Sequence, residues 1–197
     1  PVFKGAWRQL LQKRAALGAL SYAFWISVAN DNLFVVYGAW LEKQFDLSIV
    51  ALGLGTGVIG VAELAGESLT AALADRLGLK RSVIGGMTAC LICYGILPFL
   101  GQTLGMALTG LFILFLTFEF TIVTSLSLFT ELIPTSRATM MASYLASAGV
   151  GRVVGALIGG PIWLAGGIYA TALVSTAISA VALISLVWGL RGWHKPN

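Results

Sequence analysis

Charged side chains are scarce in this 197-residue chain, at 10% of all residues, whereas hydrophobic residues make up 58%. Soluble domains carry about a quarter charged residues. The core of a soluble domain cannot enclose so large an apolar fraction, and the mean hydropathy is +0.91. The composition therefore excludes an ordinary soluble domain and predicts an integral membrane protein.

Histidine and cysteine are almost absent, with one histidine and two cysteines. His194 lies in the C-terminal tail, whereas intramembrane serine proteolysis would need a histidine within a span. Cys90 and Cys93 form a lone CxxC and fall short of the four ligands of a structural zinc site, so we predict that they pack as small apolar residues. The stretch GLKRS at residues 78–82 lacks the spacing of a nucleotide-binding loop. No enzymatic activity, metal or cofactor is predicted.

Long apolar segments occupy most of the chain. Each is long enough to cross a hydrocarbon core of about 30 Å as a helix, and strict alternation typical of barrel strands is absent. The sequence predicts an all-α membrane protein with an amphipathic segment at residues 1–14, a transmembrane domain at 15–191 and a tail at 192–197. Its six predicted spans are Ala15–Trp40, Leu47–Ala74, Ser82–Gly101, Leu104–Glu131, Ala138–Leu164 and Gly167–Leu190.

Basic residues indicate the orientation. Of the 12 lysines and arginines, all but Lys43 and Arg152 fall on one side of the predicted spans. Under the positive-inside rule that side is cytoplasmic, and both termini lie there, in a cell (inner) membrane. The net charge of +4 therefore reflects topology and does not indicate nucleic-acid binding.

Charges within the spans follow a pattern. The first span contains Asp31, the second Glu63 and Glu67, the fourth Glu119 and the fifth Arg152, whereas the third and sixth are uncharged apart from their ends. Helices that carry charge must face protein or water. The order of two charged spans and one uncharged span occurs twice along the chain. This pattern predicts a 3+3 repeat of the kind found in transporters with internal repeats.

Two loops resemble signatures of the major facilitator superfamily. After the second span comes AALADRLGLKR at residues 71–81, which resembles the family's Gly-xxx-Asp-Arg-x-Gly loop with basic residues after it. After the fourth span comes ELIPTSR at residues 131–137, which resembles its Glu-xx-Pro-xx-Arg loop. Ala71 stands where the family has glycine, and Leu79 where it has a basic residue. The residues that match these motifs are Asp75, Arg76, Gly78, Lys80, Arg81, Glu131 and Arg137.

The resemblance implies half of a twelve-helix secondary active transporter that works by alternating access. The basic start of the chain looks like the family's central linker, so we expect a C-terminal half whose partner is a missing N-terminal six-helix half. The family places the first and fourth helices of such a half at the cavity, the second and fifth against the other half, and the third and sixth at the periphery. A looser resemblance to bacterial sugar and drug efflux permeases implies a small-molecule substrate. The loop motifs are candidates for a cytoplasmic gating latch, with a role as topology markers as the alternative.

Membrane carboxylates suit proton coupling. Counting from the cytoplasmic ends at about 1.5 Å per residue places Asp31 and Arg152 at similar depths, which predicts an ion pair; substrate-anion binding by Arg152 is the alternative. Glu63 and Glu119 also share a depth, and we predict that they share a proton, with Glu67 as a weaker candidate. The alternative is that these acids are neutral and hydrogen-bonded for packing.

Small residues predict close helix contacts. The fifth span carries Ser143, Ser147, Gly151, Gly155 and Gly159 at every fourth position, and the second carries Gly53 and Gly57. Such faces allow backbones to approach closely, and we expect them to face the other half or, in the isolated half, to form a homodimer. A self-associating domain without transport activity, or a channel-forming oligomer, remain alternatives, and six further hydrophobic segments upstream would favour the half-transporter.

Overall fold

A computed structural model describes residues 10–193, and the predictions for residues 1–9 and 194–197 lie outside the described residues. The described part is entirely helical apart from its turns and loops. Its elements are α1 (Arg14–Phe34), α2 (Tyr37–Phe45), α3 (Ile49–Leu77), α4 (Leu79–Ile96), a 3₁₀ turn (Leu97–Leu100), α5 (Leu104–Thr130), a second 3₁₀ turn (Pro134–Ser136) and the helical run Arg137–Gly189. The predicted all-α class is confirmed for these residues.

The run Arg137–Gly189 contains a break at two glycines. Gly166 has φ −156° and ψ 18°, and Gly167 has φ 59° and ψ −149°, neither of which is helical. The positive φ at Gly167 is the conformation that glycine adopts most readily. We therefore divide the run into α6 (residues 137–165) and α7 (residues 168–189), each of which exceeds the roughly 20 residues that a span needs.

α6 and α7 run in opposite directions along α1. On α6, Ser147 bonds the carbonyl of Leu20, and Gly159, further along the chain, packs near Asn32. Later residues of α6 thus contact later residues of α1, so the two helices run in the same direction. Later residues of α7, in contrast, contact earlier residues of α1. These contacts are Thr171 with Asn32, Ser185 with Ser21 and Gly189 with Gly18. The chain thus reverses at Gly166–Gly167, and α1 lies between both arms of this hairpin.

The apolar helices have the length and composition of membrane spans. Four helical runs among the described residues qualify on both criteria, namely Ile49–Leu77, Leu79–Leu100, Leu104–Thr130 and Pro134–Gly189. α1 is not among them, and its polar residues are in large part buried, Asp31 and Asn32 included. Large apolar side chains instead lie exposed on the outer faces, for example Ile49, Leu157 and Leu164. This distribution is that of a multi-pass membrane protein, polar within and apolar toward lipid.

The predicted first span is wrong as one continuous helix. The structure breaks it at Val35 and Val36, and α2 then continues to Phe45, beyond the predicted end at Trp40. Val36 has φ −121° and ψ −9°, and two adjacent β-branched residues tolerate the helical conformation less well than straight-chain ones. Tyr37, the first residue of α2, contacts α3, where its hydroxyl lies 2.9 Å from Thr56 Oγ1.

The small-residue face of α6 packs within the molecule. Ser147 Oγ donates to the Leu20 carbonyl of α1 at 2.7 Å, and a Cβ added to Gly155 would lie 2.6 Å from the carbonyl oxygen of Val28. The expectation that this face meets another half or a second copy is therefore wrong, because α1 already covers it. We call this contact the α1–α6 seam. A Cβ added to Gly53 or Gly57 of α3, in contrast, would meet no other helix within 4 Å among the described residues.

We predict that a single methyl group in the seam destabilises the fold. Gly155→Ala places a methyl group against the Val28 carbonyl of α1. Such overpacking costs about 1–3 kcal/mol, so the apparent Tm in mild detergent should fall. Gly149→Ala is the matched control, since Gly149 lies on the same helix with open space around it and alanine favours a helix by about 0.5–1 kcal/mol. Equal Tm values for the two variants would contradict the seam.

Candidate functional site

Three consecutive polar residues of α1 point in two directions. Asn30 and Asp31 line a cavity, whereas Asn32 is fully buried on the other side. Asn32 Nδ2 donates to the Thr171 carbonyl at 3.1 Å and to Ser175 Oγ at 3.0 Å, both on α7. Successive helical residues lie about 100° apart, so these three residues can reach both the cavity side and the α7 side of α1. Asn32 attaches α1 to α7, and its two neighbours remain available to the cavity.

Asp31 and Arg152 form the ion pair that the depth count predicts. Arg152 Nε lies 3.4 Å from Asp31 Oδ1. The α1–α6 seam creates this pair, because Gly151 and Gly155 bring the backbones together on either side of Arg152. Asp31 is buried, at 6% exposure, whereas 65% of the Arg152 side chain is exposed. The carboxylate is thus the member that depends on the pair.

Glu63 and Glu119 reach the same cavity from two other helices. A Cβ added to Gly66 would lie 2.6 Å from the Leu116 carbonyl and 2.9 Å from Glu119 Cβ, so α3 and α5 touch one turn from Glu63. Thr70 Oγ1 extends this contact by donating to the Phe120 carbonyl at 3.2 Å. Close packing at Gly66 therefore turns both carboxylates toward one space.

This central cavity has a volume of about 270 Å³ and lies among α1, α3, α5 and α6. Its charged lining consists of Asp31, Glu63, Glu119 and Arg152, three carboxylates against one guanidinium. Within residues 10–193 neither glutamate forms an ion pair, because Arg152 is engaged with Asp31. Glu67 is exposed and is not among the lining residues. The structure brings together four of the five membrane charges and leaves Glu67 outside.

Aromatic residues of the central cavity escaped the sequence analysis. Phe34, Phe118 and Tyr144 all line it. Tyr144 could have been found from spacing, because Tyr144, Ala148 and Arg152 repeat at every fourth position and so share one face of α6. Phe34 gives the same signal, because it follows Asn30 by four residues and Asp31 by three and so shares one face of α1 with them.

The loop motifs are divided between two spaces at one end of the bundle. Asp75, Gly78, Lys80, Arg81 and Glu131 line a cavity of about 660 Å³. Arg76 lines a neighbouring cavity together with Arg81, and Arg137, the first residue of α6, is among the lining residues of neither. Asp75 and Glu131 therefore border the same space, and the gating role of the loop motifs stays a prediction. Gly78 sits at the turn between α3 and α4 with φ 84°.

Two cations hold the C-terminal end of α7, a contact that sequence reasoning missed. Lys80 Nζ donates to the Leu190 carbonyl at 2.8 Å and to the Trp193 carbonyl at 3.4 Å. Arg14 donates to the Arg191 carbonyl, and its guanidinium carbon lies 5.7 Å from the centre of the Trp188 ring. Cations are favourable at the C-terminus of a helix, where carbonyl groups lack partners.

The cysteines lie at the contact between α4 and α5. Cys90 is fully buried, its Sγ lies 3.6 Å from Thr117 Oγ1, and neither Cys90 nor Cys93 is in a disulfide. No group of three or more metal-binding side chains was found within residues 10–193.

Comparison with known proteins shows which family the chain matches. A model of the Major Facilitator Superfamily matches residues 16–196. Two proteins of Bacillus subtilis (strain 168), both described as uncharacterized MFS-type transporters, are similar to the chain. YceJ is 24% identical over 160 residues, covering 81% of this chain and 41% of YceJ, and YwfA is 20% identical over 191 residues, covering 97% of this chain and 46% of YwfA. The chain spans less than half the length of either relative.

Removal of Arg152 should cost more stability than removal of Asp31. Arg152→Gln strands a buried carboxylate, and an unpaired buried charge typically costs about 3–5 kcal/mol, less where water reaches the site. Asp31→Asn leaves a guanidinium that is 65% exposed and lines the central cavity, so water in that cavity can solvate it. We therefore expect a larger fall in apparent Tm for Arg152→Gln, and partial recovery in the double variant. Arg137→Gln on the same helix is the control. Strictly additive losses of stability in the double-mutant cycle of Asp31→Asn and Arg152→Gln would exclude a direct pair.

Loss of the Lys80 ammonium should loosen the end of α7. Lys80→Met keeps the aliphatic stem but removes the donor to two carbonyls, so hydrogen exchange at residues 186–190 should accelerate. Arg81→Met is the matched control, because Arg81 is exposed and donates no hydrogen bond to α7 in the described part of the chain. Unchanged exchange in Lys80→Met, measured by mass spectrometry, would show that this contact does not hold the helix end.

Proposed function

The chain belongs to the Major Facilitator Superfamily, and from that premise we propose that it forms one six-helix half of a secondary active transporter. In this proposal α1, α3 and α4 form one repeat and α5, α6 and α7 the other. The charge distribution supports the assignment: α4 carries charge only in its first turn and residues 168–189 carry none. The basic residues favour termini on the cytoplasmic side of the cell membrane.

The observation that carries the proposal is the shared position of Glu63 and Glu119 in the central cavity. An unpaired charge inside a membrane protein costs several kcal/mol, and Arg152 is engaged with Asp31. The free-energy cost of holding both glutamates in the cavity is therefore lowest when one of them carries a proton. A proton bound there and released when the cavity opens to the other side would couple the proton gradient to alternating access. Protons moving inward would then drive efflux of a small organic solute.

The open face of α3 supports a second half as partner. A Cβ added to Gly53, Gly57 or Gly60 would meet no atom of another helix within 4 Å in the described structure, and small residues allow close helix contacts in membranes. We place the other six-helix half against this face. If the half is isolated, the same face is available for a homodimer.

The loop motifs fit a gating role in the same scheme. Asp75, Lys80 and Glu131 border one cavity at the end of the bundle, beside the turn between α3 and α4. Exposed ion pairs contribute only about 0–1 kcal/mol each, so these residues would act as a latch only when the two halves close over them and exclude water. In this conformation Lys80 instead holds the end of α7.

Glutamine at Glu63 or Glu119 should separate proton coupling from transport. In proteoliposomes with the complete transporter, each substitution should abolish accumulation driven by a pH gradient yet preserve exchange of substrate across the membrane, because glutamine keeps the shape of the side chain but cannot release a proton. Glu67→Gln is the matched variant, one helical turn away and outside the cavity, and should keep most of the gradient-driven transport.

Wild-type pH dependence in both Glu63→Gln and Glu119→Gln would refute the coupling site. Loss of exchange as well as of driven transport, with the protein still folded, would show that these residues serve the transport cycle itself rather than coupling alone.

A further inference from the structure

The central cavity has an unbalanced charge. Asp31 and Arg152 neutralise one another at 3.4 Å, whereas Glu63 and Glu119 line the same space without an ion pair in the described structure. The remaining charged or titratable groups near them are Glu67 on α3, which adds negative charge, and Tyr144 on α6. If one glutamate holds a proton, as proposed above, one negative charge still lacks a counterion. The charge that complements this cavity is therefore positive.

The uncharged lining also suits a cation. Phe34, Phe118 and Tyr144 present aromatic rings to the space, and the faces of such rings attract cations. The Phe34 ring is held in place by Phe115, with ring centres 6.0 Å apart, and Tyr144 by a contact of 3.1 Å between its hydroxyl and Ser125 Oγ. Because both rings are fixed by neighbours, they form a preformed apolar wall.

Asn30 supplies a third feature. It lines the central cavity, and its Oδ1 is buried without a hydrogen-bond partner in the structure. A buried acceptor without a donor costs about 1–3 kcal/mol, and rotation of this amide toward the cavity would let a ligand that donates a hydrogen bond relieve it. An ammonium N–H is such a donor, and a carboxylate is not.

We infer that the central cavity binds a small organic monocation with an aromatic or apolar body. The inference rests on the proposed function in placing the substrate in this cavity, and it names the class of substrate. At about 270 Å³, the cavity lies just below the range of roughly 300–1,000 Å³ of small-molecule sites. One carboxylate holds the cationic group, and the aromatic rings contact the body of the ligand.

A set of benzyl compounds tests the charge of the ligand. Benzylammonium is the cation, phenylacetate the anion, phenylalanine the zwitterion and benzyl alcohol the neutral analogue, and all four contain the same ring. Isothermal titration calorimetry is performed on the complete transporter in detergent. We expect benzylammonium to bind at least about tenfold more tightly than the other three, since a charge-assisted hydrogen bond contributes about 1.5–3 kcal/mol.

Variants locate the binding. Glu63→Gln with Glu119→Gln in one chain should weaken benzylammonium binding about tenfold or more, and Phe118→Leu should weaken it by a smaller factor. Glu42→Gln, an exposed carboxylate on α2, is the control and should leave the affinity within about twofold, well under the tenfold that corresponds to about 1.4 kcal/mol. An unchanged Tm in each variant shows that the fold is intact.

The outcomes separate this inference from the proposed coupling. Absence of benzylammonium binding, tighter binding of phenylacetate or phenylalanine, or an equal loss in Glu42→Gln overturns the inference even if a pH gradient drives transport. Cation binding that depends on the two glutamates, in a protein that ignores the pH gradient, upholds the inference and refutes proton coupling.

Discussion

The close approach of α1 and α6 is the contact on which the rest of the structure depends. Glycines at 151, 155 and 159 leave room for the backbone of α1, and side chains there would overlap its carbonyl groups. Inside a membrane no hydrophobic driving force brings helices together, so close packing and interhelical hydrogen bonds must do so. This seam places Arg152 beside Asp31 and leaves the opposite side of α1 to Asn32, which bonds α7. One helix thereby connects the ion pair to the hairpin that surrounds it.

A second close contact completes the site. At Gly66 the backbones of α3 and α5 meet, and Glu63 and Glu119 therefore reach the space beside the Asp31–Arg152 pair. The same physical rule acts at both contacts: glycine permits the approach, and the charged residues nearby are turned inward because lipid cannot solvate them. The cost of buried charge and the need for close packing thus select the same arrangement, and the cavity that results is the structural basis of the function proposed.

Particular residues show how far sequence reasoning reached. The pairing of Asp31 with Arg152 followed from equal depth along helices of constant rise, and the shared cavity of Glu63 and Glu119 followed from depth together with the resemblance to a family. The seam residues from Ser143 to Gly159 were correctly identified as a packing surface but assigned to the wrong partner, because a small-residue stripe does not specify which helix will cover it. The loop motifs fall at the ends of α3 and α5, and the sequence did not reveal that Lys80 contacts the end of α7, a contact between residues more than a hundred positions apart.

The sequence by itself determined the all-α membrane class, the approximate position of most apolar helices and the charges that lipid cannot accept. It could do so because the composition and length of an apolar segment are local properties of the chain. It also indicated the family through two loop motifs. Only the tertiary structure decided which way each charged helix is rotated, that the first predicted span breaks at Val35 and Val36, and that Glu67 stays outside the cavity that Glu63 enters. These outcomes depend on contacts between distant segments, and a helix can present any of its faces until a neighbour packs against one of them.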